Sequence, residues 1–298
     1  MISIALATYN GEKYIKKQLL SIINQSIKPQ EIVICDDLST DDTIKIINEI
    51  KNKYKNISFN IIVNNEKLGF CDNFLKAIFL CKGDYIFLSD QDDVFHKNKI
   101  ELMYNELINN NKIKLLYSNN YFIDKNDKII LKNLSKSENT LYYYENNETI
   151  KKEELKKAYN LKKFTDINFF IKYNTNNLIN INFKRFLKSV AFSGNTFAFK
   201  RELLNDILLL KEKNIKFNYH DLLLSYLAQR KNGLYFYNKK ITYYRMHGDN
   251  TIGVNEVNDK KKVDRVMWLQ NIINIQKELL LYEQNIDKIN RGGGAYKH

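Results

Sequence analysis

At 298 residues, with 44% hydrophobic and 27% charged positions, the chain is long enough for one large α/β domain with an appendage or for two small domains, and its composition is globular, not disordered. A formal net charge of +13 points toward anionic partners. Three cysteines without CxxC or Cys/His spacing argue against a zinc site and a disulfide framework, so Cys35, Cys71 and Cys81 are assigned to packing.

Ile2–Ala7 reads as a first buried strand. It is too short for the apolar core of a signal peptide and has no basic lead, and no stretch approaches the ~20 apolar residues of a membrane helix; a cytosolic chain is expected. Thr8-Tyr9-Asn10-Gly11 forms a turn, and Tyr14–Asn24 carries Ile15, Leu19, Ile22 and Ile23 on one helical face, ended by Pro29. Glu31–Cys35 is the second strand, and Ser39-Thr40-Asp41-Asp42 resembles a capping box for a helix bearing Ile44, Ile47 and Ile50. Ser58–Val63, Tyr85–Leu88 and Lys114–Tyr117 follow as strands, with helices over Asn73–Cys81 and Ile100–Ile108 between them. This alternation predicts an α/β fold: a Rossmann-like, mostly parallel sheet flanked by helices.

Past Asn119 the rhythm breaks, so residues 1–120 form one expected half and 121–253 a second. Tyr121–Leu131 looks like a hairpin around Lys125-Asn126-Asp127-Lys128. Residues 132–190 form a basic, aromatic insertion: from Lys151 to Val190 ten Lys or Arg stand against three Asp or Glu, among Tyr159, Phe164, Phe169 and Phe170. Such a stretch suits nucleic acid, an anionic membrane surface or a phospholipid-linked substrate, and it equally fits a solvated face. Val190–Phe199 returns to strand character around Ser193-Gly194-Asn195, Glu202–Leu210 and Asp221–Arg230 read as helices, and Tyr235–Tyr237 and Ile241–Tyr244 as short strands. Residues 254–290 carry Val263, Met267, Ile273, Leu280 and Ile286 at helical spacing, and the glycine-rich tail 291–298 looks like a frayed end or an expression remnant.

Two strands finish in acids, Asp36 and Asp37 after the second, Asp90, Asp92 and Asp93 after the fourth. Ligands of open α/β sheets bind beyond the carboxyl ends of the strands. Three carboxylates placed there repel one another unless a cation joins them, and hard oxygen donors suit Mg²⁺ or Mn²⁺ with substrate phosphates. Taken alone the cluster also fits a solvated acidic turn capping the next helix. A cleft shared by Thr8, Asp36 and Asp90 favours the cation, because it accounts for all three polar strand ends.

The stretches ATYNGEKYI, ICDDLSTDDT, NNEKLGFCDNFLKAI, KGDYIFLSDQDD, SGNTFAFKREL, HDLLLSYLAQ and YRMHGDNTIG, in that order, resemble the family 2 glycosyltransferases of GT-A fold, in particular the bacterial surface-polysaccharide, rhamnosyltransferase-like branch. The likeness is close over residues 1 to about 120 and looser over 190–253. It implies an inverting, metal-dependent transfer from a UDP- or dTDP-sugar to a saccharide, lipid-linked acceptor during lipooligosaccharide, capsule or O-antigen assembly. By the same resemblance Ala7, Tyr9 and Asp37 hold the nucleobase and ribose; Thr8, Asn10, Glu12, Asp36, Gly69, Asn73 and Gln91 complete the donor side. Asp90 and Asp92 are the implied ligands of Mn²⁺ or Mg²⁺, with Asp93 supporting them at the metal or binding a sugar hydroxyl. Asp221 is the implied general base, Gly194 and Asn195 border the acceptor, Arg245 offers a fork to phosphate, and His247 binds the diphosphate or completes the metal shell. The chain departs from the family at His220, where a second acid is common, and at Phe95, where tryptophan is usual. The implied partners are the sugar nucleotide, the acceptor and the anionic inner face of the cytoplasmic membrane, with no nucleic acid.

Two other classes fit fragments of the chain. Asp90-Gln91-Asp92-Asp93-Val94 matches a DxDxV phosphatase pattern, although that pattern follows the first strand of its domain and here it follows the fourth. The +13 surface fits a basic nucleic-acid binder, although no nucleic-acid module is visible.

Overall fold

A computed structural model describes residues 1–129, 177–186, 193–212 and 219–247, with 277 and 281 besides; the side chains of 184, 185, 211 and 212 fall outside that description. Strands β1 (Ile2–Thr8), β2 (Glu31–Asp36), β3 (Ser58–Val63) and β4 (Tyr85–Asp90) alternate with helices α1 (Ile15–Ile23), α2 (Thr43–Lys53) and α3 (Gly69–Leu80). A two-residue β5 (Val94–Phe95), helix α4 (Lys99–Asn109) and β6 (Leu115–Ile123) follow. Next come β7 (Leu178–Asn180), a single turn α5 (Phe183–Phe186), a 3₁₀ turn at Gly194–Thr196, and β8 (Phe197–Lys200). A second 3₁₀ turn (Arg201–Leu203), α6 (Leu204–Glu212), α7 (His220–Arg230) and β9 (Leu234–Arg245) end the described chain.

These strands make one nine-stranded mixed sheet, ordered β3-β2-β1-β4-β8-β6-β9-β5, with β7 on β9. The first four run parallel, as expected of apolar runs joined by helices. Along β1, β2 and β4 the side chains alternate between two cores. Ala5, Val33, Cys35, Ile86 and Leu88 pack with α3 and α7; Ile4, Leu6, Ile32, Ile34 and Phe87 pack with α1, α2 and α4. All three cysteines are buried, and none forms a disulfide.

The second half differs from its expected form in ways that matter for the cleft. Strand β8 inserts antiparallel between β4 and β6, so a segment from the second half seals the sheet of the first. The two short strands expected at Tyr235–Tyr237 and Ile241–Tyr244 are one continuous β9, whose register against β6 shifts at Ser118–Asn120. Of the strand expected over Val190–Phe199, residues 190–192 lie outside the described residues; Gly194–Thr196 form a turn, and β8 begins at Phe197 after it. Strand β6 runs on to Ile123, which bridges Ile129 around a turn at Asp124–Asp127; residues 130 and 131 of the expected hairpin lie outside the described residues. No side chain caps α2 at Asp42; Asp41 accepts from the Thr43 amide at 3.0 Å instead.

Most of the 132–190 insertion lies outside the described residues, as do 254–290 and the tail 291–298 apart from Lys277 and Leu281, both helical and exposed. Among the described residues no helix is long and apolar enough to cross a membrane.

Candidate active site

Strand register sets the polar strand ends side by side: Thr8 lies opposite Asp36, and Ala7 opposite both Cys35 and Asp90. Asp92 and Asp93 follow in the turn between β4 and β5, and one carboxylate oxygen from each of Asp90, Asp92 and Asp93 lies within 4.8 Å of the others. Burial, then the charges of Asp93 and Asp92, pushes Asp90 well above the ordinary carboxylate range. Burial, then Asp92, pushes Asp93 up to about 7. Crowded carboxyls driven toward neutrality are what a divalent cation relieves, and an all-oxygen cluster fits a hard ion. His247 stands beside it, with Nε2 2.8 Å from Asp92 Oδ2 and its ring 5.1 Å from that of Tyr14. Asp90 and Asp92 keep partial exposure, whereas Asp93 is closed off.

Just beyond the end of β2, Asp37 is held by its surroundings. Its Oδ1 accepts from the Asn64 amide at 2.9 Å and the Leu68 N–H at 2.7 Å, and its Oδ2 from the Gly69 N–H at 2.9 Å. Burial raises its pKa, but these donors and the Lys67 charge outweigh it and hold Asp37 below the usual value. Gly69 supplies the left-handed backbone this bend needs, at φ 78°. Asp36 accepts from Thr8 Oγ1 at 2.7 Å and from the Ser39 N–H at 2.8 Å. Tyr9 is exposed, with the Lys67 ammonium on its hydroxyl at 2.6 Å.

Several residues expected to touch substrate make contacts within the protein. Gln91 braces the backbone of Tyr9, accepting from its N–H and donating to its carbonyl, each at 2.9 Å. Asn10 accepts from the Thr40 N–H at 2.9 Å and Glu12 from the Asp42 N–H at 3.0 Å, which staples the first turn to the second. Asn73 donates to the Cys35 carbonyl at 2.9 Å. Arg245, the expected phosphate fork, lies among these contacts. It is buried, donating from Nε to the Asp92 carbonyl at 2.7 Å and from a terminal nitrogen to the Asp124 carbonyl at 3.0 Å, and it pairs with Asp127 at 2.7 Å. Its guanidinium also lies 4.6 Å over the Tyr14 ring. These contacts tie the turn after β4 to β9 and to the Asp124–Asp127 turn.

A second polar group gathers at the N-terminus of α7. Asp221 Oδ1 accepts from the Leu222 N–H at 2.7 Å, and its charge is felt at Asp90. Burial pushes its pKa up to about 6. His220 stacks on Phe74, ring centroids 4.2 Å apart, and burial pulls its pKa down to about 3, so the imidazole is neutral. A Cβ on Gly194 would lie 2.8 Å from His220 Nε2, closer than real contacts allow. Gly194→Ala is therefore expected to shift the head of α7 and cut turnover by about tenfold or more while the melting temperature falls only modestly, checked by steady-state kinetics beside thermal unfolding. Unchanged kinetics would detach the Gly194 turn from the site.

Sequence reasoning passed over Lys99, Tyr14, Asn64 and Asp127. Lys99 lies at the start of α4, fully buried, and donates to the Asn195 carbonyl. Burial pulls its pKa down to about 7, against the upward pull of Asp93 and Asp90. A lone lysine in a charge-rich chain carries no sequence signal of burial, since lysine is almost never buried unpaired. Asp127 had a faint one, its place in a turn.

The family model described as Glycosyl transferase family 2 matches residues 3–208. The dTDP-rhamnosyl transferase RfbG of Shigella flexneri is 30% identical over 275 residues, which cover 89% of this chain and 79% of RfbG. The Escherichia coli protein named UDP-Glc:alpha-D-GlcNAc-diphosphoundecaprenol beta-1,3-glucosyltransferase WfaP is 37% identical over 125 residues, 42% of this chain and 47% of WfaP. The match spans less than half of WfaP. Among solved structures, S. aureus TarS 1-349 in complex with UDP-GlcNAc superposes with a TM-score of 0.54 at 17% identity, over 93% of this chain and 72% of that one, a likeness of fold.

Proposed function

The chain belongs to glycosyl transferase family 2, and on that premise we propose that it is a metal-dependent inverting transferase moving a sugar from a UDP- or dTDP-sugar to a lipid-linked saccharide. The observation that carries this reading is the juxtaposition of the Asp90-Asp92-Asp93 cluster with the Asp221 carboxyl, at the edge where β1, β2 and β4 end. When bound, Mn²⁺ or Mg²⁺ held by Asp90 and Asp92, with His247 alongside, supplies positive charge to the departing diphosphate.

The remaining roles belong to the chain's own residues. Asp221 takes the proton of the attacking acceptor hydroxyl on a carboxylate oxygen, and a pKa of about 6 leaves it ionised near neutrality yet basic enough to accept. No acid partner is required at the leaving side, which suits inversion with a single carboxylate. Asp37 accepts three hydrogen bonds, two on Oδ1 and one on Oδ2, so a lone-pair direction on Oδ2 remains for the imide N–H of uracil or thymine. The printed names of RfbG and WfaP, one a dTDP-sugar enzyme and the other a UDP-sugar enzyme, support a pyrimidine donor; WfaP's diphosphoundecaprenol substrate supports a lipid-linked acceptor. The basic stretch from Lys151 to Val190 suits peripheral contact with an anionic membrane on its cytoplasmic face.

A thermal-shift or calorimetric panel of UDP-, dTDP- and purine-nucleotide sugars, each with and without Mn²⁺, tests the proposal. Stabilisation is expected for pyrimidine donors with Mn²⁺ present, about 2.7 kcal/mol at a hundredfold excess over Kd. No shift with any pyrimidine donor, or equal shifts without metal, would overturn it.

A further inference from the structure

Lys99 is a buried cation to which the reaction reading gives no role. It is fully excluded from solvent, its Nζ donates to the Asn195 carbonyl and lies 3.7 Å over the centre of the Phe95 ring. A buried ammonium is costly unless opposite charge meets it. The carboxylates whose charge reaches Lys99 are Asp93 and Asp90.

Asp93 differs from its neighbours. It is fully buried, with Oδ1 accepting the Arg245 N–H at 2.9 Å and Oδ2 accepting the Asn195 side-chain amide. Asp90 and Asp92 keep partial exposure. The other cation nearby, Arg245, is answered by Asp127 at 2.7 Å. His247 faces Asp92, and the charge of Asp221 reaches Asp90 from α7. Lys99 and Asp93 thus share one intermediary, Asn195, which receives Lys99 on its carbonyl and offers its amide to Asp93.

We propose that Lys99 is a positioning residue that balances Asp93 inside the protein, leaving Asp90 and Asp92 as the two carboxylates that one divalent cation neutralises, with the Asn195 turn clamped between. Asp93 is then a support of the site and not a ligand, and the acceptor-side turn is locked to the metal-side charge. This inference rests on the metal-dependent reading above.

The test is Mn²⁺ affinity, read from the electron paramagnetic resonance signal of free Mn²⁺, with Mn²⁺ alone, with UDP and with dTDP. Lys99→Met removes the charge at similar length and is expected to tighten Mn²⁺ binding about tenfold; Asp93→Asn is expected to weaken it about tenfold. The double variant should return to within about threefold of wild type, since opposite changes at coupled charges compensate. A Lys99→Met protein that folds only together with Asp93→Asn supports the same pairing, because a neutral pair replaces an ion pair without an orphaned charge. Unchanged or weaker binding in Lys99→Met, or a double variant worse than either single one or unable to fold, overturns the proposal. Wild-type protein that binds no Mn²⁺ with either UDP or dTDP overturns the metal-dependent reading itself and this inference with it.

Discussion

Asp221→Asn is expected to lower transfer by about 10³-fold while leaving Mn²⁺-dependent nucleotide-sugar binding near the wild-type value. The asparagine keeps the shape of the side chain and an oxygen for the Leu222 N–H, which Asp221 now receives at 2.7 Å, but it cannot take a proton. Stability moves the other way. Burial holds the folded-state pKa of Asp221 at about 6, above its unfolded value, so the native state binds the extra proton and stability falls as pH rises from about 4 to about 6. Above that window the ionised group costs at most about 3 kcal/mol, less whatever its partial exposure returns, and the asparagine removes the cost. An inactive variant that melts higher than wild type at neutral pH separates loss of a base from loss of fold. In the wild type, kcat should decline with unit slope as pH drops below about 6. Retained turnover in Asp221→Asn, or a flat profile through that range, would move the base elsewhere.

Asp90→Asn should behave oppositely toward the cation. With one charge of the cluster gone, metal-dependent binding of the nucleotide-sugar is expected to weaken by about a hundredfold or more, and chelation of the wild type with EDTA should reproduce the loss. Burial, then Asp93 and Asp92, holds Asp90 well above the ordinary range, so keeping this carboxyl in place costs the metal-free protein stability at neutral pH, whether it is ionised or protonated. The metal-free variant should therefore melt above metal-free wild type, and added Mn²⁺ with UDP should stabilise only the wild type. Crossing melting curves of that kind are hard to produce by simple damage. If Mn²⁺ stabilises both proteins equally, Asp90 does not hold it.

Much of the cleft could be read from local pattern. Ile2–Ala7, Glu31–Cys35 and Tyr85–Leu88 are short apolar runs that end in polar residues, and in a parallel sheet such runs have few ways to pair. That is why Thr8, Asp36 and Asp90 were expected at one edge, and the observed register puts them there. The helix headed by His220 and Asp221 was legible from its apolar spacing. The paired strands at Tyr235 and Ile241 were not seen as one strand, since Asn238, Lys239 and Lys240 interrupt the apolar alternation while the backbone continues.

What the sequence determined by itself was the wound sheet, its acid-tipped strands and the carboxyl at the head of α7, because each follows from residues adjacent in the chain and from periods of two and 3.6. Only the tertiary structure decided which polar groups face the cleft and which hold it together. Gln91 meets Tyr9, Arg245 meets Asp92 and Asp127, and Lys99 meets Asn195 across separations far longer than any local period. A lysine or arginine looks like a surface residue in sequence; it becomes an internal strut only when strands from distant parts of the chain, β8 and β9 here, close over it and remove the water that would otherwise solvate its charge.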